Sequence, residues 1–309
     1  MNLKTFWLNH DLIYSFKDAT WEKFLALKPV REMHYRKYWK LQEKAVRKHP
    51  NGVRVKFPLF EMTLNLNAAT DFGYYQASER KERYLPGLPV LMATHLKRGM
   101  TFVDVGANIG FFTLLGSSMV GGSGHVYAFE PTPDTFRRLE QNTKLNRFSQ
   151  TKCYNCALGS KKSKARLYIN ALGDNMNSLV FHEKSDKMVD VDVMRLDAIM
   201  KKKRVDFLKI DTEGFESDVL LGAKETIRRS KSIKIVIEYN HQILHRSGKD
   251  YDTAINFLSE SGFVIREILA DGLGEKISSH TQLQNVSTDL FCYKEKHLKG
   301  EIYPKISQS

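Results

Sequence analysis

The stretch TFVDVGANIGFFTLLG (Thr101–Gly116) decides the fold class. Phe102, Val103 and Val105 form an apolar run that ends in a glycine turn, and FFTLLG continues with the apolar spacing of a helix. A buried strand that turns through glycines directly into a helix is typical of the first unit of an open α/β sheet. The stretch therefore predicts the start of a strand–turn–helix repeat.

The rest of the chain continues this alternation. Strand patterns (HVYAFE, TKCYNCAL, VDFLKID, SIKIVIEY) alternate with helical patterns (TPDTFRRLEQNTKLN, ESDVLLGAKETIRRS). The strands are apolar nearly throughout, as strands covered on both faces are. We expect an α/β protein with a doubly wound, mostly parallel sheet, and an antiparallel last strand at STDLFCYKE.

Composition excludes several classes of protein. The chain has 309 residues, of which 42% are apolar and 27% charged, as in ordinary globular domains. No apolar run approaches the roughly 18 residues that span a bilayer, and the N-terminus lacks the pattern of a secretory signal. Three cysteines give no disulfide framework, and the C-x-x-C of Cys153 and Cys156 has no second pair for a metal site. We expect a cytoplasmic protein.

Positive charge is concentrated near the N-terminus. Residues 1–60 contain 13 Lys/Arg and five Asp/Glu. Residues 1–50 look helical, with Pro29 dividing two helices and a stripe at His34, Tyr38, Leu41 and Ala45. VRVKF and EMTLNL then alternate with a period of two, which predicts a hairpin or two edge strands. We divide the chain into a basic helical extension, residues 1–60, and a main domain, residues 61–309. We rank three alternative roles for the extension. Packing on the main domain comes first, contact with a membrane surface second and binding of nucleic acid third.

The glycine turn predicts the ligand. Its spacing, D-x-G-x-N-x-G, fits neither the dinucleotide fingerprint nor a phosphate-binding P-loop. Glu130, 24 residues after Gly106, ends the second strand, where a carboxylate accepts the hydroxyls of a ribose. The expected ligand therefore carries a ribose but no pyrophosphate, a description that S-adenosylmethionine meets. Asp104 and Asn108 offer polar groups for its amino-acid end, and Gly106 and Gly110 let the backbone approach it.

A second acidic cluster follows the later strands. Asp211 and Glu213 come directly after one buried strand, and Glu238 and Asn240 end the next. Because parallel strands end at one edge, these carboxylates should converge beside the glycine turn. They could act as a general base, or hold a divalent metal such as Mg²⁺ that acidifies a hydroxyl. Glu216 has two equally weighted interpretations, a functional acid and a helix N-terminal acid.

A polar loop adds candidates for contact with the acceptor. GDNMNSL (Gly173–Leu179) could cover the site, which makes Asn175, Asn177 and Ser178 candidate substrate residues together with Asn240. An ordinary solvated turn is about as good an explanation of this loop.

Several motifs together resemble the FkbM-type methyltransferases, a branch of the class I S-adenosylmethionine-dependent enzymes. They are FVDVGANIGFFTL, VYAFEPTPDTFRRLEQNTKLN, CALGS, VDFLKIDTEGFESDVLLGA and IVIEYN, within residues 100–295. The resemblance implies a Rossmann-like fold and O-methylation of a hydroxyl, commonly on a sugar of a glycan or glycoconjugate. By their positions in the family's motifs, Asp104, Gly106, Asn108, Gly110 and Glu130 should hold the cofactor, and Asp211, Glu213 and Glu238 match the family's acidic rim. We add Ala107, Pro131, Ala157 and Asp211 to the candidate cofactor residues. The candidate catalytic residues, which are also the candidate metal ligands, are Asp211, Glu213 and Glu238.

Two competing functions remain open. The pI near 9.5 would suit an RNA methyltransferase, although the basic residues are not interleaved with the site motifs. The other alternative is a scaffold that has the methyltransferase fold but no catalytic activity. The presence of all the acidic site residues argues against it.

Overall fold

The computed structural model describes residues 28–79, 87–170, 185–241, 243–244, 252–269, 272–283 and 287–297. The strands within these ranges are β1 Val53–Lys56, β2 Glu61–Leu64, β3 Thr101–Val105, β4 His125–Phe129, β5 Thr151–Tyr154, β6 Ala157–Leu158, β7 Ser163–Asn170, β8 Ser185–Met194, β9 Phe207–Ile210, β10 Lys234–Asn240, β11 Val264–Leu269, β12 Gly272–Lys276 and β13 Ser287–Tyr293. The α-helices are α1 Lys28–Lys48, α2 Ala69–Glu79, α3 Leu88–His95, α4 Phe111–Val120, α5 Pro133–Leu145, α6 Leu196–Met200, α7 Glu216–Gly222, α8 Lys224–Arg229 and α9 Thr253–Glu260.

The main sheet has eight strands in the order β12-β11-β13-β10-β9-β3-β4-β5. From β5 to β10 neighbouring strands are parallel, and β13 inserts antiparallel between β10 and β11. The predicted doubly wound sheet with an antiparallel last strand is confirmed. The chain order reverses between β3 and β9, so a crevice opens beyond the carboxyl ends of these two strands.

Alternate side chains of each central strand pack on opposite helical layers. In β3, Val103 and Val105 contribute to a core with helices α6 to α9, whereas Phe102 belongs to a second core with α1 to α4 and the β1–β2 hairpin. Burial on both faces explains why these strands are apolar nearly throughout. Asp104 and Lys209 are polar exceptions in this pattern, and both lie near the crevice.

The N-terminal elements pack on the main sheet. The predicted hairpin VRVKF/EMTLNL is present as β1 and β2, which pair antiparallel and contribute to the second core. Pro29 lies in the first turn of α1, where proline is tolerated; residues 1–27 lie outside the described part. The predicted stripe of inward-facing residues is wrong at Leu41, which is 37% exposed. The neighbouring Gln42 is buried instead, because its side-chain amide donates to the Leu66 carbonyl (2.8 Å). The division at residue 60 stays a prediction.

One predicted strand is in fact two. TKCYNCAL divides into β5 in the main sheet and β6, which joins β7 and β8 in a separate three-stranded sheet. The chain bends at Asn155, whose side-chain amide donates to the carbonyls of Glu130 and Pro131 (both 2.9 Å). All three cysteines are free. Among the described residues, no helix is long and apolar enough to cross a membrane.

Candidate active site

The glycine turn closes against the end of β9. Gly106 has φ +77°, and a Cβ built on it would lie 1.7 Å from the Asp211 carbonyl oxygen. Gly110 has φ +103°, and its Cβ would lie 2.8 Å from Leu139 Cδ1. The sequence predicted that these glycines leave room for a ligand. This explanation is incomplete, because both glycines also leave room for neighbouring parts of the protein. At Gly106 this close approach brings Asp211 to the turn.

Glu130 is tied to the turn by two backbone groups. The Asn108 N–H donates to Oε2 (3.0 Å) and the Thr132 N–H donates to Oε1 (2.9 Å). Asn108 itself has φ +51°, and its Oδ1 accepts from the Ile109 N–H (2.8 Å). Burial raises the pKa of Glu130 to about 7.

This arrangement fits S-adenosylmethionine. Each oxygen of the Glu130 carboxylate accepts a hydrogen bond from one backbone N–H. Each oxygen also has a second lone pair, which can accept a hydrogen bond from a ribose hydroxyl. The turn leads into the N-terminus of α4, a ten-residue helix whose first N–H groups favour a negative group such as the carboxylate of the amino-acid end.

Beneath the turn lies a charged group of three residues, of which Asp104 and Lys209 are buried and Asp211 is partly exposed. Asp104 is fully buried, accepts from the Thr113 hydroxyl (2.6 Å) and lies 3.7 Å from Lys209 Nζ. Lys209 Nζ also donates to Asp211 Oδ2 (2.9 Å). Burial alone would lower the pKa of Lys209, but the carboxylates of Asp211 and Asp104 raise it above its ordinary value. Asp104 therefore supports the turn from below, and its direct contact with the cofactor stays a prediction.

Three of the predicted acids converge. Carboxylate oxygens of Asp211, Glu213 and Glu238 lie within 4.8 Å of one another, and all three residues are partly buried. They meet because β9 and β10 are parallel neighbours, so their carboxyl ends coincide. The arrangement could accept a proton or hold a cation, since oxygen ligands suit hard divalent metals.

Glu216 holds the loop that carries two of these acids. Its Oε1 accepts from the Thr212 N–H (3.0 Å), the Thr212 hydroxyl (2.9 Å) and the Gly214 N–H (3.1 Å). Burial raises the pKa of Glu216, although these hydrogen bonds act in the opposite direction. The buried carboxylate thus braces the turn in which Glu213 adopts φ +51°, which favours a structural role for Glu216.

Three residues near the site were missed by the sequence interpretation. Lys209 carried a usable signal, a single charge inside the apolar strand FLKI. Asp289 lies directly opposite Glu238 in the β10–β13 pair, and its charge also acts on Lys209. Tyr74 of α2 stacks on Phe111 at the start of α4, with ring centroids 4.5 Å apart. Asp289 and Tyr74 carry no local motif that would mark them.

The other predicted residues have varied positions. Asn240 ends β10, and its Oδ1 accepts from the Ile243 N–H (3.3 Å). Ala157 is buried among apolar residues of the small sheet, and Pro131 is partly buried beside Glu130. Asn175, Asn177 and Ser178 lie outside the described residues.

The chain matches one family model and two methyltransferases among known proteins. A family model described as Methyltransferase FkbM domain matches residues 104–265. Methyltransferase 1 of Beauveria bassiana is 30% identical over 185 residues, which cover 53% of this chain and 72% of that protein. Methyltransferase sdnD of Sordaria araneosa is 30% identical over 159 residues, which cover 40% of this chain and 60% of that protein. The crystal structure of Methyltransferase FkbM from Methylobacillus flagellatus is 24% identical, with a TM-score of 0.41 over 63% of this chain and 43% of that one.

Proposed function

Because the chain belongs to the FkbM methyltransferase family, we propose that it transfers a methyl group from S-adenosylmethionine to a hydroxyl of a sugar in a glycan or glycoconjugate. The observation that carries the proposal is the cluster of three carboxylates beside the glycine turn. A sugar hydroxyl is a weak acid and a good hydrogen-bond donor, so a methyltransferase that acts on it needs acceptors that also take its proton.

The cofactor would be held by the turn and by Glu130. The Glu130 carboxylate would accept the ribose hydroxyls, since the backbone N–H groups of Asn108 and Thr132 already fix its orientation. When bound, S-adenosylmethionine supplies an electrophilic methyl group on a sulfonium. The segment Gly106–Gly110 would run beside the amino-acid end.

The acid cluster would act on the acceptor. One carboxylate of Asp211, Glu213 and Glu238 would take the proton as the hydroxyl oxygen forms its bond to the methyl group. The sulfur–methyl bond would break at the same time, with S-adenosylhomocysteine as the leaving group. The other two carboxylates would accept hydrogen bonds from neighbouring hydroxyls and so orient the sugar for an in-line approach. Lys209 compensates part of the negative charge by its contact with Asp211 (2.9 Å).

A divalent cation in this cluster is a second candidate. The three carboxylates are close enough to share one ion, and Mg²⁺ prefers oxygen ligands. Such an ion would bind the acceptor hydroxyl and acidify it.

Transfer of a labelled methyl group tests both forms of the proposal. The protein would be incubated with [methyl-³H]S-adenosylmethionine and a panel of methyl pyranosides and glycolipids, in EDTA or in MgCl₂. We expect labelled glycoside, a loss of at least a hundredfold in Asp211→Asn and Glu238→Gln, and little change in Glu225→Gln. Glu225 is the matched control because it is an exposed carboxylate paired with Arg228. Activity that survives EDTA would contradict the metal form.

Two other outcomes would contradict the sugar proposal. Label in RNA but in no saccharide, with binding that falls steeply as salt rises, would indicate an RNA methyltransferase. Cofactor binding without transfer to any acceptor would indicate a scaffold.

We further propose that α1 holds the enzyme at an anionic membrane surface, where a lipid-linked acceptor would lie. α1 exposes Trp39, which is 54% exposed, and it also carries the exposed basic residues Lys37, Lys40, Lys44 and Lys48. Basic residues are attracted to anionic lipid, and tryptophan favours the interface. Sedimentation with phosphatidylserine vesicles should exceed that with phosphatidylcholine vesicles and should fall in Lys40→Glu/Lys44→Glu. Equal sedimentation with both vesicles would overturn this proposal.

A further inference from the structure

Helix α2 lies outside the segment that the family model matches, yet it reaches the site. Asp71 in its first turn forms an ion pair with Arg138 of α5, and the same carboxylate accepts from the Asn65 N–H (2.6 Å). The side chain of Asp71 is 2% exposed. The Tyr38 hydroxyl of α1 donates to the Ala69 carbonyl (3.1 Å). These contacts give α2 a defined position against the helices of the main domain.

Tyr74 covers the start of α4. Its ring is nearly parallel to that of Phe111, with an interplanar angle of 4° and centroids 4.5 Å apart. Phe111 directly follows Gly110, and its ring packs edge-on against Phe112 (5.3 Å). Lys209 Nζ lies 5.0 Å from the centroid of the Phe112 ring. A continuous row of rings thus extends from Tyr74 to the charged group beneath the glycine turn.

The Tyr74 hydroxyl lies within the electrostatic influence of charged side chains and remains a donor. Among the described residues we find no hydrogen bond to this hydroxyl, although Lys209, Asp211, Asp71 and Asp104 all act on it electrostatically. Burial raises the pKa of Tyr74, so the phenol keeps its proton at every physiological pH.

We propose that the Tyr74 hydroxyl donates a hydrogen bond to the carboxylate at the amino-acid end of bound S-adenosylmethionine. This end carries an ammonium and a carboxylate. Carboxylates near the turn can accept from the ammonium, and the first N–H groups of α4 can donate to the carboxylate. The Lys209 ammonium is buried and engaged by Asp104 and Asp211. A neutral phenol stacked beside the α4 N-terminus supplies a side-chain donor in addition to these backbone groups. The inference rests on the cofactor part of the proposed function and is independent of the acceptor.

Calorimetry with two ligands tests the inference. S-adenosylhomocysteine carries the amino-acid end, whereas 5′-methylthioadenosine lacks it and keeps the adenosine. In Tyr74→Phe, which retains the stacked ring, we expect S-adenosylhomocysteine to bind about tenfold more weakly, at the lower end of the effect of a hydrogen bond to a charged group. Methylthioadenosine should bind with unchanged affinity. The matched control is Tyr75→Phe, because Tyr75 is the adjacent tyrosine of α2 and its hydroxyl interacts with Glu79.

Each other outcome has a defined meaning. Equal affinity of the unmodified protein and Tyr74→Phe for S-adenosylhomocysteine overturns the inference. An equal loss for both ligands also overturns it, since that pattern indicates a general packing effect of Tyr74. If the unmodified protein binds neither ligand, the inference and the assigned cofactor fail together. If the ligand difference appears but no saccharide is methylated, only the proposed acceptor fails.

Discussion

Replacing Gly106 by alanine should be one of the most damaging single-methyl changes in this protein. The new Cβ would lie 1.7 Å from the Asp211 carbonyl oxygen, and real Cβ atoms essentially never come within 3.0 Å of such an atom. The end of β9 must therefore move by more than 1 Å, or the turn must open. The left-handed backbone (φ +77°) adds about 1–2 kcal/mol for any residue with a Cβ. Overpacking against backbone adds about 1–3 kcal/mol, so we expect a total destabilisation of about 2–5 kcal/mol.

Gly262→Ala separates the two contributions. Gly262 has nearly the same φ, +79°, but no atom lies within 4 Å of its built Cβ. It should therefore show only the backbone strain of about 1–2 kcal/mol. Urea unfolding of both variants, with linear extrapolation to water, measures the difference. S-adenosylhomocysteine titration should show normal affinity in Gly262→Ala and strongly reduced affinity in Gly106→Ala, because the displaced β9 end carries Asp211.

The reasoning is refuted if the two variants lose the same stability within about 0.5 kcal/mol, a typical uncertainty for independent sites. That result would mean that the contact between Gly106 and Asp211 imposes no packing constraint. Normal cofactor affinity in a destabilised Gly106→Ala would separately refute the link between this contact and the cofactor site.

Three further predictions follow from the buried charges. The affinity for S-adenosylhomocysteine should rise about tenfold between pH 6 and pH 8, because the Glu130 carboxyl has a pKa of about 7 and is mostly protonated at pH 6. Only the ionised carboxylate can accept hydrogen bonds from both ribose hydroxyls. Calorimetry of Glu130→Gln should show an affinity that no longer changes with pH. Lys209→Met should lower the free energy of unfolding by about 3–5 kcal/mol, because it leaves buried Asp104 without its ion-pair partner, and adding Asp104→Asn should restore part of that loss in urea titrations. Glu216→Ala should reduce methyl transfer more than S-adenosylhomocysteine affinity, because it releases the loop that holds Glu213; an equal reduction of both would contradict the bracing role.

Much of the architecture could be predicted from local signals. The family resemblance was carried by motifs that begin at Phe102 and lie almost wholly within residues 104–265, where the family model matches. The convergence of Asp211, Glu213 and Glu238 could also be predicted, because the acids follow adjacent strands whose parallel direction was evident from the alternating pattern. Where local pattern was the only guide, the predictions were weaker: Asn155 bends the chain inside an apparently continuous strand, and the exposed face of α1 was assigned wrongly at Leu41.

The amino-acid sequence by itself determined the α/β class, the glycine turn with Glu130, and the family, because apolar periodicity and strand-end residues act over short stretches of chain. Only the tertiary structure decided why Gly106 is glycine, how Lys209 pairs with both Asp104 and Asp211, and that Tyr74 lies over the start of α4. These features are contacts between residues far apart in the chain. Their partners are selected by the close packing of whole helices and strands, which no local spacing encodes.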